Sequence, residues 1–416
     1  MVLCPAQGGI DAARWQAAEM NGQEHVILLG GNDGAVLEAA GAAVPLVLFQ
    51  LPGKSSQEQI RNSALTFHFN YSELPLLLEL GRAIAQQRRI VAAVSFLDRG
   101  LLPAALLGEH LGLRGNPVSP VEHSSDKLRF RQVTSELCAA DVARLTSETD
   151  AVRFLAEIRS PIVVKPRSGS GSRGVTLVDC ESAAREAFAV AARLGDGEAI
   201  AERFVDGPEF SVETLSEDGR HLILGITRKI TTGAPHFVEL GHEFPAPIEA
   251  DEARTLEAMT VRMLDRLGHR HGPAHTEARL TPRGVFLIET QLRPGGDQIW
   301  EMVKLVTGIS AAQETVANLA RSPIPRTPPV ANAAAVRFFA YENRSVERVT
   351  GLETARALPG IIRVVCKLER GQTLGPVRCS ADRQGYVLAA GGSLEEARER
   401  LNNAMRSVVI ETSAAT

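Results

Sequence analysis

Short apolar runs alternate with helix-compatible stretches in the first third of the chain. The runs occupy residues 25–31, 45–49 and 90–96. Apolar segments of this length, with room between them for crossover helices, predict the buried parallel strands of a doubly wound α/β domain. The loop-like sequence GNPVSP at residues 115–120 indicates where this domain ends. We therefore place an N-terminal α/β domain at residues 1–120.

A different periodicity begins near residue 200. Residues 210–215 and 221–230 alternate between polar and apolar positions across the tetrapeptide SEDG, which is a strong hairpin signal. A second hairpin is predicted within residues 274–297. Because hairpins build antiparallel sheets, we expect an antiparallel-sheet catalytic domain at residues 201–416, with a C-terminal subdomain from about residue 330.

The second hairpin is predicted to point two carboxylates at each other. With its turn at the tetrapeptide TPRG, pairing that is symmetric about Arg283 makes one face apolar and the other polar. The apolar face holds the pairs Leu280–Phe286, Ala278–Ile288 and Ala274–Leu292. On the polar face, Glu277 lies opposite Glu289, and Gln291 and Arg293 continue that face at a period of two.

Opposed carboxylates of this kind require a compensating charge. Residues directly opposite on one face lie about 5 Å apart at Cβ, so two ionised carboxylates repel each other unless a metal or a proton joins them. Carboxylate oxygens suit Mg²⁺ or Mn²⁺, which is often shared with substrate phosphates. A hairpin whose charges point into water is the alternative, and this segment alone does not decide between the two.

A serine- and glycine-rich loop lies upstream. Residues 160–166 (SPIVVKP) predict a short strand that ends near Lys165, residues 167–174 (RSGSGSRG) form the loop, and residues 175–178 predict a second strand. A Rossmann fingerprint or a Walker loop runs from a strand into a helix, so neither fits. The loop still lets backbone N–H groups approach phosphate oxygens. Alone it is more often a flexible connection, but together with the carboxylate pair it indicates a nucleotide site.

Composition excludes several classes of protein. The chain has 416 residues, 44% of them hydrophobic, which is enough for about three domains. A net charge of -4 without a block of basic residues argues against nucleic acid as a partner. No apolar run reaches the roughly 18 residues of a membrane span, and the N-terminus lacks the pattern of a signal peptide. We therefore expect no membrane partner.

The cysteines indicate a reducing compartment. The chain has five, at Cys4, Cys138, Cys180, Cys366 and Cys379. An odd number without CxxC spacing makes a disulfide framework or a zinc site improbable. We therefore expect reduced cysteines and a cytoplasmic protein.

The order of these motifs resembles the ATP-grasp superfamily. The resemblance rests on Lys127 in SSDKLRFRQ, Lys165 in VVKP, the SGSGSRG loop, Glu202 in AERFVDGPEFSVE, and the pair Glu277 and Glu289. Within that superfamily, the run ITRKITTGAPHFVELGHEFPAPI at residues 226–248 and the sequence RPGGD, which ends at Asp297, are similar to the L-amino-acid ligases. These enzymes form dipeptides with ATP.

The resemblance implies a fold, a reaction and cofactors. It implies an ATP-grasp fold with an N-terminal doubly wound parallel sheet, a lid domain at residues 121–200 and the antiparallel-sheet catalytic domain. It also implies ATP and Mg²⁺, or Mn²⁺, as cofactors, and amino-acid-like small molecules as substrates. The reaction would join a carboxylate to an amine through an acyl phosphate. A homodimer is compatible with the sequence, which does not determine the oligomeric state.

Residue roles follow from the resemblance by position. The nucleotide-binding residues are expected to be Lys127, Lys165, Ser168, Ser170, Gly171, Ser172, Glu202, Phe204, Val205 and Glu209. The metal ligands are expected to be Glu277, Glu289 and Gln291, although many members have Asn where Gln291 stands, which puts its direct ligation in doubt. The catalytic residues are expected to be Lys229, His242, Arg293 and Gly296, and the substrate-binding residues Glu239 and Asp297.

Each assignment competes with an ordinary structural role. Lys127 alone would be a solvated surface lysine, and Glu202 and Glu209 would form an exposed acidic rim. Arg293 would form a salt bridge to Glu289 in addition to any catalytic role. Asp297 would cap the helix that follows it. Asp98, which follows a predicted strand end, is treated as a structural or rim residue.

Three functions remain open at this point. The favoured one is an ATP-dependent ligase that joins an amino acid, or a derivative of one, to a second amino acid. A ligase of the biotin-carboxylase or D-alanine–D-alanine ligase kind is the alternative within enzymes, and the FVELGHEFPAP run argues against it. A catalytically dead ATP-binding regulatory protein is the third, and it has little need for both Glu277 and Glu289.

Overall fold

The computed structural model describes residues 22–414. Cys4 and the first part of the predicted N-terminal domain therefore lie outside the described residues. The described chain begins with a four-stranded parallel sheet in the order β3-β2-β1-β4. Its elements are β1 (Glu24–Leu29), α1 (Asp33–Ala40), β2 (Leu46–Gln50), α2 (Gln57–Arg61), β3 (Leu65–His68), α3 (Leu74–Ala85), β4 (Arg89–Val94) and α4 (Asp98–Leu111).

Alternate residues of these strands enter two different cores. Val26 and Leu48 pack with residues of α1 on one face. Ile27 and Phe49 pack with residues of α3 and α4 on the other. The predicted doubly wound sheet is thus confirmed. The sequence pattern does not predict β3, because its four residues are all only partly buried and carry a weak apolar signal.

A second, antiparallel sheet forms the lid. It follows α5 (Val118–Ser125) and α6 (Lys127–Val133), and its elements are β5 (Val142–Leu145), α7 (Glu148–Ile158), β6 (Ile162–Pro166), β7 (Thr176–Val178), α8 (Glu181–Leu194) and β8 (Ala199–Arg203). The strand order is β5-β8-β6-β7. Val164 of β6 packs against Ala151 of α7 and Ala191 of α8 in one core. The glycine loop connects β6 to β7, which confirms the predicted strand, loop and strand.

The remaining chain forms an eight-stranded sheet and a small three-stranded one. The elements are β9 (Glu209–Glu217), β10 (Arg220–Thr231), β11 (Glu239–Phe244), α9 (Ala250–Leu267), β12 (Gly272–Thr281), β13 (Gly284–Gln291), α10 (Ile299–Thr307), α11 (Ala311–Leu319), β14 (Ala333–Phe338), β15 (Arg344–Thr350), α12 (Leu352–Ala357), β16 (Ile361–Cys366), β17 (Thr373–Leu374), a 3-10 helix (Ser380–Asp382), β18 (Gly385–Gly391), α13 (Leu394–Ser407) and β19 (Val409–Ala414). The two orders are β13-β12-β9-β10-β11-β14-β18-β16 and β17-β15-β19.

The large sheet contains both predicted hairpins. The first joins β9 to β10 across Asp218 and Gly219, which have φ values of +49° and +82°. A two-residue turn with φ positive at both positions matches the twist of the strands it joins. One face of the sheet, with Ala278 and Leu287, packs against Leu264 of α9. The other face is therefore free to carry polar side chains.

Two features bear on the proposed domain bounds. β8 runs to Arg203, beyond the proposed end of the lid at residue 200. Val121 and Phe130, from α5 and α6, belong to the core of the large sheet rather than to that of the lid. The division into residues 1–120, 121–200 and 201–416 stays a prediction. Among the residues that the structure describes, no helix has both the length and the apolar character needed to cross a bilayer.

Candidate active site

A cavity with about 880 Å³ of open volume lies between the lid sheet and the large sheet. Val163 of β6 and Ile288 of β13 both line it. The lining includes all ten residues that the resemblance assigns to nucleotide binding, namely Lys127, Lys165, Ser168, Ser170, Gly171, Ser172, Glu202, Phe204, Val205 and Glu209. The fold thus gathers several separate motifs around one cavity.

Glu202, which lines this cavity, shares its carboxylate between two buried cations, Lys165 and Arg131. The Lys165 ammonium lies 2.8 Å from Glu202, and Arg131 donates to both carboxylate oxygens at 2.6 and 3.0 Å. Burial alone would raise the pKa of Glu202, but Arg131 and Lys165 lower it to about 2. Burial, aided by Arg131, holds the pKa of Lys165 below its usual value, although Glu202 opposes this.

This cluster of Arg131, Lys165 and Glu202 carries a net positive charge when all three groups are ionised, which suits an anionic ligand. Glu202 is buried, so its assignment to an exposed rim is wrong. The sequence pattern predicts a strand at residues 198–201 with Glu202 just after it, whereas Glu202 lies inside β8. The sequence pattern underestimates that strand because its last two residues are charged.

Lys127 is directed toward the glycine loop. It is the first residue of α6, which Asp126 caps by accepting bonds from two backbone N–H groups. The Lys127 ammonium donates to the carbonyl oxygen of Gly169 at 2.8 Å and lies 3.1 Å from Glu289. Its side chain is only 11% exposed. The alternative of a solvated surface lysine is therefore wrong.

The serines of the glycine loop have partners in other parts of the fold. The Ser170 hydroxyl donates to the Asp98 carboxylate at 3.1 Å, so the loop contacts the N-terminal domain. The Ser172 hydroxyl donates to the carbonyl oxygen of Phe237 at 3.2 Å. These contacts hold the loop over the cavity.

A flat aromatic wall lies at one side of the cavity. The rings of Phe204 and Phe237 are stacked, with centroids 5.6 Å apart and planes 22° from parallel. The Arg279 guanidinium lies 5.1 Å from both centroids and donates to the carbonyl oxygen of Val205 at 2.8 Å. Aromatic rings and a guanidinium plane are surfaces on which a purine base stacks.

Lys229 gathers three carboxylates beside that wall. Its ammonium lies 2.7 Å from Glu209, 2.9 Å from Glu277 and 3.5 Å from Glu239. Burial alone would lower the pKa of Lys229, but these three carboxylates raise it well above its usual value. Lys229 therefore stays charged. Glu209 also pairs with Arg279 at 3.1 Å, so its assignment to an exposed rim is wrong.

The register of the second hairpin confirms one predicted pairing and corrects others. Glu277 pairs with Glu289 across β12 and β13, as predicted. Nearer the turn, the observed pairs are Thr281–Gly284, Leu280–Val285, Arg279–Phe286 and Ala278–Leu287. The predicted pairs Leu280–Phe286 and Ala278–Ile288 are wrong, because the turn is a two-residue turn and is not centred on Arg283. An extra residue at Ile288 forms a β-bulge that restores the expected register at Glu289.

The bulge also changes which side chains enter the core. Leu287 is fully buried in the core of the large sheet, whereas Phe286 and Ile288 line the cavity. The predicted pair Ala274–Leu292 lies beyond the observed ladder, which ends at His275 and Gln291. The predicted apolar face is thus correct in position but not in all its members.

Glu277 is held by buried cations. It lies 2.9 Å from the Lys229 ammonium and 3.2 Å from His275 Nε2, and His275 Nδ1 lies 2.8 Å from Glu213. Burial alone would lower the pKa of His275, but Glu213 and then Glu277 raise it to about 9. Burial likewise opposes ionisation of Glu277, yet Lys229 and His275 hold its pKa well below the usual range. Glu277 is therefore ionised and fixed in place.

Glu289 has fewer charged partners than Glu277, which suits a residue that binds a metal cation. It contacts Lys127 and accepts a hydrogen bond from Gln291 Nε2. Gln291 Oε1 is buried and has no hydrogen-bond partner, and an unpartnered oxygen beside a carboxylate fits a metal ligand. Within residues 22–414, no three His, Cys, Asp or Glu side chains form a metal cluster by themselves. These residues fit Mg²⁺ if phosphate oxygens complete the coordination.

A second cavity, with about 560 Å³ of open volume, adjoins the first. Both cavities are lined by Ser170, Gly171, Lys229, Glu239, Glu277 and Glu289. The second is also lined by the other residues that the resemblance assigns to the metal, to catalysis and to substrates, namely His242, Gln291, Arg293, Gly296 and Asp297. The carboxylate pair thus stands where the two cavities meet.

Arg293 pairs with a residue of the N-terminal domain. Its Nε and Nη2 donate to the two carboxylate oxygens of Asp98 at 2.6 and 3.1 Å. The predicted salt bridge between Arg293 and Glu289 is therefore wrong, because Arg293 pairs with Asp98 instead. Burial alone would lower the pKa of Arg293, but Asp98 raises it. The structure thus places Asp98 in contact with Arg293, which lines the second cavity.

Asp297 is paired with an arginine from the C-terminal part of the chain. Its carboxylate accepts from Arg383 at 2.8 and 2.6 Å, and His242 Nε2 lies 3.7 Å away. Burial alone would raise the pKa of Asp297, but His242 and Arg383 lower it far below its usual range. The N-cap of α10 is Gln298, which makes no side-chain capping bond. The helix-cap role for Asp297 is therefore wrong, and its charge is already compensated.

The sequence analysis missed the residues that come from the C-terminal part. Ser380 donates through its hydroxyl to Glu239 at 2.7 Å and through its backbone N–H to Gly171 at 3.1 Å. Arg383 lies with its guanidinium carbon 3.8 Å from the centroid of the Phe338 ring. No local motif distinguishes Ser380 or Arg383, because the segment 375–383 reads as an ordinary polar loop. Only the tertiary fold brings Ser380 to the second cavity and Arg383 to Asp297, which lines that cavity.

Comparisons with known proteins agree with this geometry. A family model described as "ATP-grasp domain" matches residues 158–301, and one described as "L-amino acid ligase C-terminal domain 2" matches residues 337–413. The chain is 28% identical over 239 residues to an alanine–anticapsin ligase of Bacillus subtilis, covering 51% of this chain and 50% of that protein. It is 21% identical over 309 residues to an L-arginine-specific L-amino acid ligase of Bacillus subtilis, covering 69% and 72%.

The fold comparison extends over nearly the whole chain. The crystal structure of an L-amino acid ligase from Bacillus licheniformis matches with a TM-score of 0.78 and 22% identity, covering 94% of this chain and 98% of that one. This confirms the expected fold. The chain spans about half the length of the alanine–anticapsin ligase that it matches, 50%.

Proposed function

We propose that this ATP-grasp ligase, which shares its ATP-grasp domain and its C-terminal domain 2 with the L-amino acid ligases, forms a peptide bond with ATP. The carboxylate of one amino acid, or of an amino-acid derivative, would be joined to the amine of a second amino acid. ADP and phosphate would be released. The observation that carries the proposal is the meeting of two cavities at one pair of glutamates.

The first cavity suits the nucleotide. Its aromatic wall offers a stacking surface for the base, and Glu209 lies beside that wall, where a ribose hydroxyl would donate to it. The net charge of the cluster around Lys165 attracts the phosphates, and Lys127 and the N–H groups of the glycine loop lie above them. Glu277, Glu289 and Gln291 would hold Mg²⁺, which would supply positive charge that stabilises the charge developing on the transferred phosphoryl group.

The second cavity suits the carboxylate that is activated. A carboxylate oxygen would attack the γ-phosphorus, the bond from phosphorus to the ADP oxygen would break, and an acyl phosphate would form. Arg293 would hold the transferred phosphoryl oxygens through the N–H groups that Asp98 leaves free. The backbone N–H of Gly296 would stabilise the oxyanion that develops at the acyl carbon.

The amine would attack in the same cavity. Glu239 would bind the ammonium form, and Asp297, fixed by Arg383, would shape the adjoining wall. As the amine attacks the acyl carbon, its proton would pass to His242, whose ring nitrogens have no hydrogen-bond partner. The bond from carbon to the phosphate oxygen would then break. Lys229 stays protonated and would keep three carboxylates in place rather than act as a base.

A screen of amino-acid pairs tests the proposal. Phosphate release is measured with ATP, Mg²⁺ and every pair of amino acids, and products are identified by mass spectrometry. We expect release only when ATP, Mg²⁺ and both substrates are present, with a product mass equal to the two substrates minus water. Phosphate release that is indifferent to any amine or carboxylate would reject the ligase.

A further inference from the structure

We propose that Asp98 is a positioning residue that aims Arg293 into the second cavity and receives Ser170 when the glycine loop closes. The effect on Arg293 rests on the proposed function, because it is measured through ligase turnover. The contact with Ser170 requires only that the protein binds a nucleotide. One carboxylate of the N-terminal domain would therefore join the lid to the loop that carries the catalytic arginine.

The hydrogen bonds of Arg293 fix the orientation of its guanidinium. Nε and Nη2 donate to Asp98 at 2.6 and 3.1 Å, and Nη1 donates to the carbonyl oxygen of Pro294 at 2.9 Å. A guanidinium has five N–H bonds, so these three contacts leave one N–H on each Nη. Those two N–H groups are the ones available to a ligand in the second cavity. Without Asp98, the Arg293 side chain would lose two of its three fixed bonds.

Asp98 is itself fixed to a rigid element. It is the first residue of α4, and the turn before it is held by Ser95, whose hydroxyl donates to the Leu29 carbonyl oxygen at 2.7 Å and accepts from the Leu97 N–H at 3.2 Å. A Cβ at Gly100 would come within 2.7 Å of that same Leu29 oxygen. The start of α4 therefore packs directly on the parallel sheet, and the position of Asp98 follows from the backbone.

The contact from Ser170 connects the glycine loop of the lid to Asp98. The Ser170 hydroxyl donates to Asp98 Oδ2 at 3.1 Å, the same oxygen that accepts from Arg293 Nη2. Asp98 Oδ2 thus accepts both the hydrogen bond that would hold the closed glycine loop and a hydrogen bond that aligns Arg293. Asp98 is 45% exposed and Arg293 12%, so the carboxylate remains accessible to the loop while the arginine is enclosed.

A purely structural ion pair between domains is the competing explanation, and the chain contains a matched example. Arg114, which follows α4, pairs with Asp218 in the turn between β9 and β10 at 3.3 Å. This pair also joins the N-terminal domain to the large sheet but, whereas Arg293 lines the second cavity, neither Arg114 nor Asp218 lines either of the two active-site cavities. Asp218→Asn is therefore the control for general loss of an interdomain ion pair.

Two substitutions separate the two contacts of Asp98. Asn at position 98 can still accept from Ser170 but loses the charge that holds Arg293, whereas Ala loses both contacts. We expect Asp98→Asn to lower kcat by about 10- to 100-fold while the KM for ATP stays close to that of the wild type. Asp98→Ala should lower kcat similarly and also raise the KM for ATP. Asp98→Glu should recover part of the lost kcat, and Asp218→Asn should change neither constant.

A double-mutant cycle identifies the residue through which Asp98 acts. If Asp98 works through Arg293, adding Asp98→Asn to Arg293→Ala should cost little beyond Arg293→Ala alone. Effects that multiply, or an Asp98→Asn enzyme with wild-type kcat, would overturn the positioning role. Equal losses in Asp98→Asn and Asp218→Asn would assign Asp98 to the fold instead.

Limited proteolysis tests the loop contact without requiring ligase activity. Arg173 is an exposed trypsin site in the glycine loop. A non-hydrolysable ATP analogue with Mg²⁺ should slow cleavage after Arg173 in the wild type and in Asp98→Asn, and less so in Asp98→Ala and Ser170→Ala. Equal protection in all four proteins would overturn the loop contact. If the wild type shows no amino-acid-dependent turnover, the proposed function fails, and this measurement still decides the role of Asp98.

Discussion

Glu277 lies directly opposite Glu289 across β12 and β13, and each carboxylate is paired with a different lysine. Glu277 is enclosed by Lys229 and by the His275 imidazolium. Glu289 contacts Lys127 at the start of α6. The repulsion expected between opposed carboxylates is thus compensated by ammonium groups, and the two glutamates differ in how firmly they are held.

This difference predicts unequal costs of substitution. Glu277→Gln removes one of the three carboxylates around buried Lys229 and one of the two around buried His275, and it should lower the free energy of unfolding by about 3 kcal/mol. Glu289→Gln removes a partner only from Lys127, which can turn toward water, and should cost about 1 kcal/mol or less. Both should abolish turnover. Urea unfolding at neutral pH measures the two costs, and equal costs would contradict the account of the Glu277 environment.

The unpartnered oxygen of Gln291 predicts a change in metal dependence. Gln291→Leu should raise the Mg²⁺ concentration needed for half-maximal activity by about tenfold, because one ligand or its bridging water is lost. Turnover should recover at saturating Mg²⁺, which separates weaker metal binding from a damaged fold. An unchanged Mg²⁺ requirement would remove Gln291 from the metal site.

The stacked pair Phe204 and Phe237 predicts where the base binds. Phe204→Ala should raise the KM for ATP by about tenfold, since a base stacked on an aromatic ring contributes about 1–3 kcal/mol, and should leave kcat nearly unchanged. Inhibition by inorganic tripolyphosphate provides the control, because it requires only the phosphate subsite. If Phe204→Ala weakens the binding of tripolyphosphate and of ATP equally, the adenine base does not stack on Phe204.

The shared carboxylate of Glu202 predicts a pH-dependent stability. Its pKa is lowered from 4.5 to about 2 in the folded protein, so it stabilises the fold above pH 4.5 and this contribution is lost as the pH falls toward 2. The shift corresponds to about 3 kcal/mol at neutral pH. Glu202→Gln should therefore be less stable than the wild type at pH 7, and the gap should narrow below pH 4.5. Denaturant unfolding between pH 7 and 3.5 measures it, and a gap that is constant with pH would contradict the assignment.

Local periodicity accounts for what the sequence predicts correctly. The parallel strands, the glycine loop between two strands, and the opposition of Glu277 to Glu289 all follow from patterns within a few neighbouring residues. The strand pairs nearer the turn could not be predicted from local patterns. One extra residue at Ile288 shifts the register, and no sequence feature distinguishes Ile288 from its apolar neighbours. The strand β3 was missed for a similar reason, as its residues are only partly buried.

Residues that reach the site through tertiary packing could not be predicted. Asp98 lies at the start of α4, Ser380 lies in the 3-10 helix, and Arg383 directly follows that helix. Their neighbours in sequence carry no motif, and their chemistry depends on partners such as Arg293 and Asp297 that are distant in sequence. Arg293 pairs with Asp98 and Asp297 with Arg383. Because these partners are distant in sequence, the structural roles predicted for Arg293 and Asp297 were wrong.

Transfer of oxygen from the carboxylate substrate to phosphate tests the central claim most directly. An amino acid labelled with ¹⁸O in its carboxylate is supplied with ATP, Mg²⁺ and an amine partner, and the released phosphate is analysed by mass spectrometry. Because the carboxylate oxygen attacks the γ-phosphorus and stays with it when the amine displaces phosphate, each peptide bond should yield one phosphate that carries a single labelled oxygen. Phosphate without label, or label found in AMP, would contradict an acyl-phosphate ligase.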